Sequence, residues 1–269
     1  MLPSDVRTLL VEAPAGRHIA QLHRDSRSLV TSAGLYVAAG LERGAGVVIV
    51  ATADHTETIL QYVGRAGLDA DALRRSGQFI VLDAEATLAR ILRGGQPVWS
   101  EFQRVIRPVI AHLHRFGQAS CRVYGELVDV LWSRSRYAAA TQLEEYWNAL
   151  GQSQQFSLFC SYVLDSHDHQ CYHTPLADIG RTHSEIVTGD DDEAFLQALD
   201  KASEDVFGAP LSETVTLAPE HAPGEHRLPA GQRTMLWIER MLPTSSADIL
   251  QRARAYLSRR AALPLGSGY

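Results

Sequence analysis

Residues 40–54 read GLERGAGVVIVATAD, and the order of residue types along them decides the fold. A helical run closes on glycine, a short glycine-containing turn follows, and Val47–Ala51 (VVIVA) is a continuous apolar stretch too short for a helix. A strand buried on both faces reads this way, because a parallel sheet covered by helices on each side leaves no wet face to alternate with.

The same grammar repeats outward. Upstream, Arg17–Leu22 is a first short strand; Asp25 or Ser26 then caps a helix with Leu29, Ala33, Val37 and Leu41 on one face, and Gly44 stops it. Downstream, a helix from about Thr56 carries Ile59, Val63 and Ala66 and stops at Gly67, and Gln78–Asp83 is the next strand. A short helix with Leu88, Ile91 and Leu92 runs into Gly94-Gly95. Phe102, Val105, Ile106, Val109, Ile110 and Leu113 mark a long helix in which Pro108 predicts a kink. Ser120–Glu126 is a strand ending in a carboxylate, Arg136–Leu150 a helix with Leu143, Trp147 and Leu150 inward, and Phe156–Leu164 a strand. Strands alternating with helices in this way predict an α/β fold with a mostly parallel sheet flanked by helices.

Past about residue 165 the character changes to a His-rich segment, an acidic run Asp190–Glu193 and an amphipathic helix with Phe195, Leu199, Ala202 and Val206. Two helices near Gln232–Met241 and Ser245–Arg260 carry Met235, Leu236, Ile238, Ile249, Ala253 and Leu257, an apolar face that a second copy could cover. The expected organisation is a lead-in over 1–16, the sheet domain over 17–190, an amphipathic helix over 191–215, a linker over 216–231 and C-terminal helices over 232–269.

The formal charge is −6, from 31 acidic and 25 basic side chains, with no basic block, which argues against direct nucleic-acid binding. No long apolar stretch marks a membrane span or a signal peptide, so a cytoplasmic location is expected. Cys121, Cys160 and Cys171 have no paired spacing, which fits a reduced compartment, and Cys121 and Cys160 read as core.

Gly40–Asp54 resembles the KaiC branch of RecA-like ATPases, and counting back along that resemblance places the phosphate-binding loop on His23–Val30, HRDSRSLV. Such a loop needs glycines so that backbone N–H groups can close on phosphate, a lysine for charge and a hydroxyl for Mg²⁺. Here His23 and Ser28 stand where glycines belong, Leu29 replaces the lysine and Val30 the hydroxyl, while the acidic pair after the second strand is reduced to Ala53-Asp54. The expectation is a non-enzyme without a cofactor.

A broader resemblance, over roughly residues 15–190, rests on RHIAQLHRD (17–25), FIVLDAEATL (79–88), CRVYGELVDVLW (121–132), AATQLEEYWNAL (139–150), SLFCSYVL (157–164) and ADIGRTHSEIV (177–187). Together these resemble the MEDS (methanogen/methylotroph DcmR sensory) domain family. That resemblance implies a domain sensing small organic molecules or relaying a signal, usually joined to a DNA-binding or kinase unit. The lead-in is too short for a helix-turn-helix and no kinase motif follows, so output is expected through a partner or through the C-terminal helices.

Open parallel sheets bind ligands at the carboxyl ends of their strands. The residues expected there are His23, Arg24 and Asp25 after the first strand, Asp54 and His55 after the second, Asp83 after the third and Glu126 after the fourth. Helix capping explains Asp25, Asp54 and Asp83 equally well. Glu126 is either a ligand or network residue, or a buried carboxylate paired with Arg122 or Arg24. Tyr124 and Trp132 are candidates to wall an apolar pocket, with core packing the alternative for Trp132 and for Trp147.

In HDHQCYH an extended strand would put His167, His169, Cys171 and His173 on one face, all zinc-ligand types. Four alternate positions span too far to surround one ion, so an exposed polar loop is the favoured reading and no metal is expected. No GxSxG, CxxC or HExxH occurs. The resulting reading is a non-catalytic sensory domain that binds a small organic ligand or a regulatory protein. Its rivals are a divergent ATPase or phosphotransferase using Arg24 and Arg27, and an anti-regulator acting through its C-terminal helices.

Overall fold

The computed structural model describes residues 4–116, 121–188, 191–218 and 222–262. Ser120, Asp190 and part of the expected linker lie outside the described residues. The chain forms two compact units, one from residues 1–164 and 182–189, the other from 165–181 and 190–269.

In chain order the first unit holds α1 (Ser4–Glu12), β1 (His18–His23), α2 (Ser26–Glu42), β2 (Val47–Ala51), α3 (Ala53–Arg65), α4 (Ala70–Ser76), β3 (Phe79–Asp83) and α5 (Ala84–Ile91). There follow β4 (Leu92–Arg93), β5 (Gln96–Pro97), α6 (Trp99–Leu113), β6 (Cys121–Gly125), α7 (Leu127–Ser133), α8 (Tyr137–Ser153) and β7 (Phe156–Val163). After an excursion into the second unit through α9 (Leu176–Thr182), the chain returns as β8 (Glu185–Thr188).

Six strands form one sheet in the order β3-β2-β6-β7-β1-β8, and every pairing is parallel. Register sorts the side chains by face. Ile19, Phe159 and Tyr124 are cross-strand partners, and with Ile49 they join one core with Val6, Leu10, Leu29, Ala33, Tyr36, Ile59 and Val63 of α1–α3. Ala20, Cys160 and Gly125 are partners on the opposite face, which α7 and α8 cover. Because both faces are covered, β1, β2 and β6 are buried along their whole length.

The expected lead-in contains α1, whose Val6 and Leu10 are buried. Its last carbonyls need donors, and Arg122 supplies them: its guanidinium bonds the carbonyls of Leu10, Val11 and Glu12 as well as that of Tyr36. Gly40 makes this geometry possible, because a Cβ there would stand 2.6 Å from the Arg122 side chain. Gly44 ends α2 with φ of +76°, as its position in the sequence implies.

Other boundaries shift. α3 begins at Ala53 rather than near Thr56, so Asp54 and His55 belong to its first turn. α6 continues through Pro108 to Leu113. Gly94 and Gly95 form the turn of the β4–β5 hairpin.

The second unit corrects the extended reading of HDHQCYH. Residues His169–His173 form a 3₁₀ turn, which Asp168 starts by accepting the Gln170 N–H. Cys171 and Tyr172 point inward, and the Tyr172 hydroxyl bonds the Ser166 carbonyl. The unit continues with α10 (Asp192–Phe207), α11 (Ser212–Leu217), a 3₁₀ turn at Glu225–Arg227, α12 (Ala230–Met241) and α13 (Ser246–Ala262). α10 packs on α12 and α13, and Met235, Leu236, Ile238, Ile249 and Ala253 are buried within the chain itself. Among the described residues no helix is long and apolar enough to cross a membrane.

Candidate functional site

At the carboxyl edge the structure joins several of the expected residues into one network. Glu126, which follows β6 and opens α7, is 1% exposed and accepts four hydrogen bonds. The Thr52 N–H and hydroxyl donate to its Oε2 at 2.9 and 3.2 Å, and His55 Nδ1 and the Tyr124 hydroxyl reach Oε1 at 2.9 and 2.7 Å. The partner is thus a histidine, not Arg122 or Arg24, because Arg122 lies at the opposite end of β6 and is consumed by α1. The hydrogen bond to Glu126 raises the His55 pKa, against the opposing effect of its partial burial.

His23 and Gln21 lie on the same face of β1, and Gln21 is level with Ser161, whose hydroxyl approaches the Tyr124 phenol. Both are buried, at 1% and 0%, yet neither side chain hydrogen-bonds any described residue. Burial lowers the His23 pKa to about 3, with His55 near enough to add to the effect, so the ring is neutral at pH 7. Asp129, one turn into α7, accepts the Val163 N–H, and burial raises its carboxyl to about 6.

Asp25 and Asp83 cap α2 and α5 by accepting the N–H groups of Ser28 and Ala86. Arg24 and Asp54 are exposed at the edge. Trp132 is buried against the rings of Tyr137 and Tyr162. Trp147 is core, in edge contact with Phe102.

A second cluster, which the sequence reading missed, lies under α8 toward the amino edge. It comprises His18 from the start of β1, Glu144 from α8, Cys160 from β7 and His183 from just before β8, all buried. His18 Nε2 lies 3.2 Å from Glu144 Oε2 and 3.4 Å from Cys160 Sγ, while His183 Nε2 lies 3.2 Å from Glu144 Oε1. The Tyr162 hydroxyl donates to Glu144 at 2.5 Å. Burial alone would raise the Glu144 pKa, but His183 and His18, in their protonated forms, outweigh it and hold the carboxyl well below the usual carboxylate range. Burial, then the Glu144 charge, pushes the Cys160 thiol up. Beside His18 a cavity of about 310 Å³ is lined by Arg17, Trp147, Asn148, Phe156 and Leu158 among others. One signal was available: Glu144 falls on the inward stripe of α8, between Leu143 and Trp147, where a carboxylate is out of place without partners.

In the second unit, only two of the four residues of the His-rich segment converge. His169 and His173 stack and approach Glu239 of α12, at 2.8 and 3.7 Å, while Cys171 is buried elsewhere.

Among known protein families, residues 17–184 match the model described as MEDS, the methanogen/methylotroph, DcmR sensory domain. No curated protein matches the chain. The matched segment takes in five of the six sheet strands, ending just before β8, along with both buried clusters of the first unit, and it covers more than half of the chain; the chain therefore belongs to the MEDS family of sensory domains.

Proposed function

We propose that this sensory domain takes up a small polar organic molecule at the carboxyl edge of its sheet, where Gln21 and His23 read it, and passes the signal to a regulatory protein partner. The observation that carries this reading is the pair of buried side chains without hydrogen-bond partners. Buried polar groups are almost always paired, and leaving one unpaired costs about 1–3 kcal/mol. A ligand bearing a hydroxyl, carbonyl or amide would supply both partners, since neutral imidazole and carboxamide each offer a donor and an acceptor. The neighbouring Glu126 network ties β6 to the β2–α3 junction, which supports it as the element a ligand would disturb.

Nucleotide binding is disfavoured at the same edge. The N-terminus of α2, where a phosphate would bind, is already occupied by the carboxylate of Asp25.

Calorimetry and thermal melts of the full chain against short alcohols, aldehydes, amides, carboxylates and halogenated hydrocarbons test the proposal. At least one class should stabilise the wild type, and Gln21→Leu and His23→Leu should abolish that gain while retaining the helical spectrum. Equal gains in wild type and variants would overturn the edge assignment. Mg²⁺-dependent ATP binding at micromolar concentration would overturn the non-nucleotide reading.

A further inference from the structure

We propose that His18, Glu144, Cys160 and His183 form a binding site for a zinc-type divalent cation. The four donor atoms all lie within 4.8 Å of one another. A tetrahedral ion with bonds of about 2.0–2.3 Å to nitrogen, oxygen and sulfur sets donor–donor edges of roughly 3.3–3.6 Å. Around Glu144 Oε2, His18 Nε2 lies at 3.2 Å and Cys160 Sγ at 3.7 Å, with 3.4 Å between those two, and His183 Nε2 lies 3.2 Å from the other carboxylate oxygen, Oε1.

The surrounding hydrogen bonds orient these groups as ligands. Asn148, one helical turn from Glu144, donates its amide N–H to the Thr182 carbonyl, which leaves its Oδ1 facing His18 Nδ1 at 2.9 Å. His18 Nδ1 must then carry the proton, so in the neutral ring the Nε2 lone pair is aimed at Glu144 Oε2, itself an acceptor. Two acceptors 3.2 Å apart need positive charge between them. A single proton answers one such pair; a divalent ion answers both imidazoles, the carboxylate and the sulfur together. Tyr162 steadies the carboxylate as Asn148 steadies the ring, which is the outer support that metal ligands ordinarily have. Two imidazoles with a thiolate favour zinc over the hard cations magnesium and calcium. The cavity beside His18 gives access. The ion would fasten β1, α8 and β7 to the turn that leads into the edge strand β8, independently of any ligand at the carboxyl edge.

The probe is Co²⁺ added to the chelator-stripped full chain. One equivalent should produce the visible bands of a tetrahedral ion and a thiolate-to-cobalt charge-transfer band, and Zn²⁺ should displace both. Cys160→Ser should remove the charge-transfer band, Asn148→Ala should weaken binding about 10- to 100-fold, and the double variant His169→Ala/His173→Ala should bind as the wild type does. No cobalt spectrum, a spectrum that survives Cys160→Ser, or one lost in the His169/His173 variant would each overturn the proposal. Should Cys160→Ser fail to fold, the rise in melting temperature that Zn²⁺ gives the wild type, and its reduction in Asn148→Ala, replace that arm; absence of the rise overturns the proposal.

Discussion

The two edges of the sheet in the first unit carry buried polar clusters built on opposite plans. At the carboxyl edge, His23, Thr52, His55 and Glu126 each stand at or within a few residues of the end of a strand, and the central carboxylate is saturated by four donors. Left without hydrogen-bond partners there are the Gln21 and His23 side chains, along with the Ser161 hydroxyl level with Gln21. At the amino edge, the groups come from two strands, a helix and a pre-strand turn, and the carboxylate is shared among two imidazole nitrogens and the Cys160 thiol. One cluster is closed around its charge and open beside it; the other converges on a point. On the two proposals made above, the difference separates a place where an organic molecule would complete hydrogen bonds from a place where a cation would complete coordination.

The largest test of this contrast is Glu144→Ala. Removing the carboxylate strands His18, His183 and Tyr162 in the core, and urea unfolding should show a loss of about 3–5 kcal/mol. A loss under 1 kcal/mol would mean that the amino-edge cluster ties nothing together.

Next comes the acid response of His23. Its folded pKa is about 3 against 6.5 unfolded, so the unfolded chain takes up a proton that the folded chain refuses. The stability this contributes is complete above pH 6.5 and is lost as pH falls toward 3, at about 1.4 kcal/mol per pH unit. His23→Leu should therefore lose about 2 kcal/mol less than the wild type between pH 6.5 and 5 in urea unfolding.

Glu126→Gln should cost about 1–2 kcal/mol near pH 6, through lost charge-assisted bonds to Thr52 and His55. Because the His55 pKa is raised in the folded state, the part due to that pair is fully present below pH 6.5 and lost as pH rises through the folded value. The penalty should thus shrink by pH 9, and NMR titration should show the His55 pKa falling in the variant.

The smallest effect belongs to Asp83→Ala. It removes only a helix cap, so about 1 kcal/mol is expected, with no change in ligand response at the carboxyl edge.

Much of the fold was legible. VVIVA and its counterparts become parallel strands because a short apolar run has few other stable arrangements, and Gly44 and Gly67 stop helices at left-handed positions. Three helices of the first unit were not. α4 buries no residue and so has no apolar stripe, α7 is apolar nearly all round and so shows no period, and α1 is short, with only two buried positions. The His-rich segment misled because alternation suggests a strand, whereas the Asp168 cap turns it into a 3₁₀ helix. Of the carboxyl-edge candidates, Glu126, His55 and Tyr124 join one hydrogen-bonded network with His23 near His55, and Trp132 packs against the Tyr162 ring.

The sequence by itself determined the alternation of strands and helices, the lack of glycine and lysine in the β1–α2 turn, and which residues end strands at the carboxyl edge. These depend on local period and on direct chain neighbours. Only the tertiary structure decided that Glu126 pairs with His55 rather than with arginine, and that His18, Glu144, Cys160 and His183 meet. Those outcomes depend on strand order, register and the seat of α8 over the sheet. Such choices are made by long-range packing, and no stretch of a dozen residues records them.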